Sequence, residues 1–313
     1  MTSLASAAAV ETSIDGAIAL FEATYANPVT VTIEFESMSG GLGESQVGFV
    51  YNENYQQFYN ALAATDANPA AIAGLTANGG NSATSPVNGS TVIGVNSVNL
   101  RALGLSGAPL CNVTGTAGNL SCNSSVAGGP NAIDGIVGIN TSITDPPQAN
   151  NGSNYDMTAV VEHEIDEVLG LGSGIPDCNS CGSSASAPFA RPEDLFRYNA
   201  NGTRSSLTVN CASPGTAFFS YSGVTDLAQF NNACNGADFG DWQSSPLPNG
   251  VAAQVQDAFA TSSDDPAYGP NEEAAMSAIG YLIATPEPAT GWLVSISLVL
   301  AAVVFRRKAF GRR

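Results

Sequence analysis

The chain has 313 residues, 44% of them hydrophobic and 12% charged, which is enough apolar content to bury a core and too much for a disordered chain. Nine basic residues stand against 27 acidic ones, and five of the nine (Arg306, Arg307, Lys308, Arg312, Arg313) lie in the last eight positions. The strongly acidic body repels phosphate backbones, which argues against nucleic-acid binding, and no D-x-D-x-D-G loop marks a calcium site.

Met1 to Val10 has no basic region and no long apolar run, but it carries Ala5-Ser-Ala7 and Ala7-Ala-Ala9. Residues 1–10 therefore read as the remnant of a signal peptide whose start lies upstream. Ile14, Ile18, Phe21 and Tyr25 step along one face of a helix expected from Ser13 to Ala26. Val29, Val31, Ile33 and Phe35 then alternate with polar neighbours, as in a half-buried strand from Pro28 to Phe35. A Gly-rich stretch from Ser39 to Gly43 precedes a helix through Tyr55 to Ala64.

Residues 74–132 are rich in Gly, Asn, Ser and Thr, with short segments at Thr91–Val95 and Asn99–Leu103. Ile133 to Ile139 reads as a strand, Asp156 to Leu169 as the strongest helix, stopped by Gly170. Strand-like segments follow at Asp194–Tyr198 and Ala217–Tyr221, and a last amphipathic helix opens at Pro270 with Ala275, Met276, Ile279 and Ile283 on its face. The expected fold class is α+β: one domain over residues 11–285, a mixed sheet packed on the helix around His163, and an irregular, disulfide-containing C-terminal half.

Six cysteines form an even set. Proximity suggests Cys111–Cys122, Cys178–Cys181 and Cys211–Cys234, each closing a polar loop. Cys178 and Cys181 could instead be half of a zinc knuckle or a redox pair.

His163 is the single histidine, set in Val160-Val-Glu-His-Glu-Ile-Asp-Glu-Val-Leu-Gly170. Positions i and i+4 share a helix face, so His163 and Glu167 can aim a nitrogen and an oxygen at one cation. Glu164, one residue round, can take a proton from water beside it. Met157, Val161, Ile165, Val168 and Leu169 remain for the core side of the helix. The plain alternative is a surface helix with a string of acids and an incidental histidine.

At the C-terminus, Pro286-Glu-Pro288 precedes an uncharged run from Gly291 to Phe305 and then Arg306-Arg-Lys308. The basic cluster marks a cytoplasmic side and leaves the acidic body outside. Residues 286–313 resemble the PEP-CTERM sorting signal of Gram-negative bacteria. That resemblance implies a transmembrane helix over 291–305 held in the inner membrane, an exosortase-type membrane transpeptidase that cuts the tail, and a destination at the cell surface or extracellular matrix. A plain tail anchor would also place the body outside the cytoplasm.

The His163 helix resembles the zincin active helix, and within it the metzincin pattern H-E-x-x-H-x-x-G, with Gly170 as the glycine. It departs at Glu167, which replaces the second histidine, and at Ser173, which stands where that pattern has its third ligand. Together with Pro28-Val-Thr-Val-Thr-Ile33, Leu103-Gly-Leu105, Asp194-Leu-Phe-Arg-Tyr198 and Ala278-Ile-Gly-Tyr281, it makes residues 14–284 similar to exported bacterial metalloproteases that often carry PEP-CTERM tails. The resemblance implies a peptide-bond hydrolase with a polypeptide substrate, His163 and Glu167 as metal ligands and Glu164 as catalytic base. Asp194 is the first expectation for the third ligand and Asp177 the second. Zn²⁺ is the expected cofactor; Mn²⁺, Ca²⁺ and an inactive relic stay open, as does a non-catalytic matrix or envelope protein on the same scaffold.

Overall fold

The computed structural model describes residues 7–123, 128–146, 154–177, 182–244 and 251–284, apart from the side chains of Val50 and Tyr51. It divides into a unit ending at Ile283 and a second from Ala284 to Arg313, so the expected membrane segment 291–305 lies outside the described residues. Among the described residues no helix is long and apolar enough to cross a membrane.

Helix α1 runs Ala7–Thr24, beginning six residues before the expected start. Its buried face centres on Ser13, Ala17 and Phe21, while Ile18 is exposed. Of the expected stripe, Phe21 is buried and Ile14 and Tyr25 pack against the core, so only Ile18 falls outside; Ser13 and Ala17 complete the buried face. The chain then continues through the extended residues 26–32 into β1 (Ile33–Ser37), so only the end of the expected Pro28–Phe35 strand joins a ladder.

Strand β2 (Gly43–Val47) and strand β3 (Phe49–Asn54) follow, then α2 (Tyr55–Thr65), α3 (Pro69–Ala77), β4 (Val92–Asn96) and α4 (Ser97–Ala102). Three asparagines start these helices: Asn54, Asn68 and Asn96 each accept a hydrogen bond from a first-turn amide. A polar hairpin, β5 (Asn112–Thr116) and β6 (Asn119–Asn123), leads to β7 (Gly135–Ile139).

β7 is buried at every residue. It is the middle strand of the order β1-β7-β2, parallel to β1 and antiparallel to β2. One face of this small mixed sheet receives the helix that carries His163. The other carries Glu36 and Gln46, whose side chains hold the β5–β6 hairpin through Leu120 N and Cys122 N. Disulfide Cys111–Cys122 ties that hairpin to the chain entering it.

Short strands β8 (Thr144–Asp145) and β9 (Tyr155–Asp156) deliver the chain to α5 (Met157–Leu169). Asp156 caps α5 by accepting from Ala159 N at 3.0 Å, and Gly170 closes it with φ 132°. Met157, Val161, Ile165, Val168 and Leu169 all lie in the core, as the sequence pattern requires.

The C-terminal half is more regular than expected. Strand β10 (Ser184–Ser186) is followed by a 3-10 turn (Glu193–Phe196), β11 (Arg197–Asn199), β12 (Thr208–Asn210), β13 (Ala217–Phe219), β14 (Ala228–Phe230) and α6 (Pro270–Ala278). β10 pairs with β12, and β11-β13-β14 form an antiparallel sheet. Trp242 sits fully buried against Phe219 and Phe230, with ring centroids 5.8 and 5.1 Å away. Disulfide Cys211–Cys234 joins two loops of this half, whereas Cys178 and Cys181 lie outside the described residues. The expected strand at Asp194–Tyr198 is instead the 3-10 turn running into β11, because its acids are used as local acceptors (below). α6 ends at Ala278, before Ile283, which pairs instead with Tyr25 beside α1.

Candidate metal centre

His163 and Glu167 project from α5 into a cleft of about 1120 Å³. His163 Nε2 lies 3.8 Å from Glu167 Oε1 and 3.7 Å from Asp241 Oδ1. One ligand atom from each of the three residues falls within 4.8 Å of the others. Tetrahedral ligands at about 2.1 Å from a cation stand about 3.4 Å apart, so movements of well under an ångström would bring two of the three edges to coordination distance. An imidazole nitrogen with two carboxylate oxygens is a chemically suitable set for Zn²⁺ or a harder divalent ion.

Each member is held from behind. The carbonyl oxygen of Val255 lies 3.0 Å from His163 Nδ1. A carbonyl can only accept, so Nδ1 carries a proton and Nε2 is the nitrogen turned toward the carboxylates. Ser45 Oγ on β2 donates to Glu167 Oε2 at 2.6 Å, which leaves Oε1 for the cluster. Asp241 arrives on the loop after β14. Buried Arg197 donates to Phe239 O, Asn231 O and Asn232 Oδ1 along that loop. At Gly240 a side chain would collide with the backbone of Gly172, so only glycine allows the loop to meet the exit of α5.

Glu164 lies beside the triad, buried, on the same helix. Gly43 of β2 makes space for it: a Cβ there would overlap the Glu164 carboxylate and Val160. Burial, then the Glu167 charge, pushes the Glu164 carboxyl well above the usual range, against the pull of His163. Burial opposes a charged His163, yet Glu164 and Glu167 outweigh it and raise the imidazole. Burial with Asp238 and Glu167 raises Asp241. Asp238, buried near Asp177 and Glu167, is pushed up to about 7. Such mutual repulsion among buried carboxylates is relieved by a cation.

Asp194 is not part of this cluster. Its Oδ1 accepts from Ser173 Oγ at 2.6 Å, and its Oδ2 from Gly174 N and Arg191 N at 2.9 and 2.8 Å. Both oxygens are therefore spent on shaping the loop after α5. Ser173, at the third-ligand position of the metzincin pattern, is Asp194's donor. Asp177 lines the same cleft on its rim, with its carboxyl raised by burial and by Glu167, but it is not in the triad. The residue that groups with His163 and Glu167 is instead Asp241. Its sequence signal, Asp238-Phe-Gly-Asp-Trp242, is a pair of acids about a glycine in an Asn/Gly-rich loop, which no spacing rule separates from an ordinary turn.

Residues 284–308 match the PEP-CTERM protein-sorting motif. This motif is recognised by exosortase, and it marks an exported protein processed at the cell envelope. No curated protein and no solved structure matches the chain.

Proposed function

We propose that this exported chain is a metal-dependent peptide-bond hydrolase of zincin-like design, in which His163, Glu167 and Asp241 hold a divalent cation, Zn²⁺ first, and Glu164 is the base. The observation that carries the reading is the convergence of the three ligand atoms within 4.8 Å, with the histidine tautomer set by Val255 O.

A bound cation supplies Lewis acidity toward a substrate carbonyl and toward water. The chain's own residues do the rest. Glu164 is rotated one position from the ligands and is buried, and burial with the Glu167 charge raises its carboxyl; its place beside the cluster is that of a base. It takes a proton from the attacking water and passes it to the amine nitrogen that leaves. Val255 O fixes a proton on Nδ1, so Nε2 is the nitrogen that His163 would offer a cation in exchange for its own proton. β2, bonded to β7 on one side, lines the cleft with Gly43, Ser45 and Val47. An extended polypeptide is the ligand that suits an edge strand next to such a centre.

Metal analysis of the purified chain, with casein cleavage by wild type and by Glu164→Gln, tests the reading. Metal in both proteins, with cleavage only by wild type, is expected. No bound metal, or equal cleavage by the two, overturns it; metal with no cleavage by either leaves a metal-holding envelope protein in its place.

A further inference from the structure

The third ligand and the carbonyl that orients His163 come from separate segments, and the residue following each converges on one atom. Trp242, after Asp241, donates its Nε1 to Glu272 Oε1 at 3.1 Å. Gln256, after Val255, donates its backbone N to the same Oε1 at 3.3 Å. The two segments are also tied to each other: Trp242 N donates to Gln256 O at 2.7 Å and Ala258 N to Trp242 O at 2.9 Å. The side chain of Gln256 then reaches α5, donating Nε2 to His163 O at 3.0 Å and to Asp166 Oδ2 at 3.4 Å. Trp242, Gln256 and Glu272 are 0%, 2% and 1% exposed.

We propose that Glu272 and Gln256 are positioning residues for the metal centre: Glu272 Oε1 fixes Asp241 relative to Val255, and the Gln256 amide fixes both relative to His163. A buried carboxylate accepting two donors is a costly group to keep for packing alone. It bonds the residues that directly follow Asp241 and Val255, which gives it a use that packing does not. Without Glu272 the Trp242 indole N–H and the Gln256 amide lose their common acceptor. Asp241 and Val255 O are then registered only by the two backbone bonds between their segments, so the site loses geometry before the core loses its fold. Partners of this kind commonly change metal affinity by about 10- to 100-fold.

This inference rests on the metal reading above, and the experiment separates the two. The full chain, stripped by chelation, is titrated with Zn²⁺ against a chromophoric chelator, and its Co²⁺ form is read by visible absorption. Melting temperatures of the stripped proteins are measured alongside. Glu272→Ala and Gln256→Leu are expected to bind Zn²⁺ about 10- to 100-fold more weakly and to alter the Co²⁺ spectrum. Glu272→Gln, which keeps an acceptor oxygen, is expected to recover most of the affinity. If Glu272→Ala does not fold, Gln256→Leu carries the test. Lower melting temperatures with wild-type affinity and spectrum would overturn the positioning role, as would a Glu272→Gln protein as weak as Glu272→Ala. A wild type that binds neither ion overturns the metal reading and this inference with it.

Discussion

Ser45 Oγ donates to Glu167 Oε2 at 2.6 Å, joining strand β2 to helix α5 across 122 residues of chain. The bond leaves Glu167 Oε1 facing His163 Nε2 at 3.8 Å. Ser45→Ala is therefore expected to weaken Zn²⁺ binding by about tenfold while changing stability by only about 1 kcal/mol. Competition titration and urea denaturation of the stripped protein measure the two effects. Unchanged affinity would show that Glu167 orients itself.

Two aspartates on the C-terminal side separate site from scaffold. Asp241 faces His163 Nε2 at 3.7 Å, whereas Asp194 spends both oxygens on Ser173, Gly174 and Arg191. Asp241→Asn is expected to lose bound metal with little change in the melting temperature of the stripped protein. Asp194→Asn is expected to keep the metal and lose about 1–3 kcal/mol of stability, because an amide nitrogen replaces an acceptor inside a buried hydrogen-bonded loop. Metal content by mass spectrometry and denaturant unfolding decide it. Metal lost from Asp194→Asn at full stability would return that residue to the site.

The α5 helix was legible because every signal agreed there: an Asp cap, a core stripe, a stopping glycine and the His-Glu spacing on one face. Two of the three triad members followed from i,i+4 geometry alone. The third did not, since Asp241 is brought in by contacts far apart in sequence: Arg197 to Phe239, Trp242 to Glu272, Gly240 to Gly172. Periodicity reports only local neighbours. The Asp194-Leu-Phe-Arg-Tyr198 segment shows the limit well. It touches the His163–Glu167–Asp241 cluster only indirectly, through Arg197 holding the loop that carries Asp241. β2 was hidden for a different reason. Gly43-Glu-Ser-Gln-Val47 carries one apolar side chain, Val47, because one face lines the cleft and the other carries the β5–β6 hairpin.

Acidity should govern the stability of the metal-free protein. Burial pushes Glu193 up to about 8 against the help of Gly172 N, and burial with Asp177 and Glu167 pushes Asp238 up to about 7. These carboxyls have folded values above their unfolded ones, so the folded state binds more protons. Their stabilising effect is complete below about pH 4, where both states are protonated. It is lost as pH rises through 7 and 8. Each such group removes up to about 1.4 kcal/mol per pH unit across that window. Stripped protein is expected to melt lower at pH 8 than at pH 5, with a shallower slope for Glu193→Gln. A melting temperature that rises across this window would refute the assignment.

Gly43 places a constraint on Glu164, the proposed base, that the proposed metal ligands do not share. A Cβ at this position would overlap the Glu164 carboxylate and Val160, while Ser45, two residues along the strand, holds Glu167. Gly43→Ala is thus expected to displace Glu164 without removing a ligand. The general base contributes about 10²- to 10⁴-fold in such reactions, so cleavage should fall toward the level of Glu164→Gln while bound Zn²⁺ stays near wild type. The double substitution Gly43→Ala with Glu164→Gln should be no slower than Glu164→Gln alone, since both act on one group. Casein cleavage and metal content of the three proteins provide the readout. Additive losses, or metal missing from Gly43→Ala, would mean that the strand shapes the centre by some route other than Glu164.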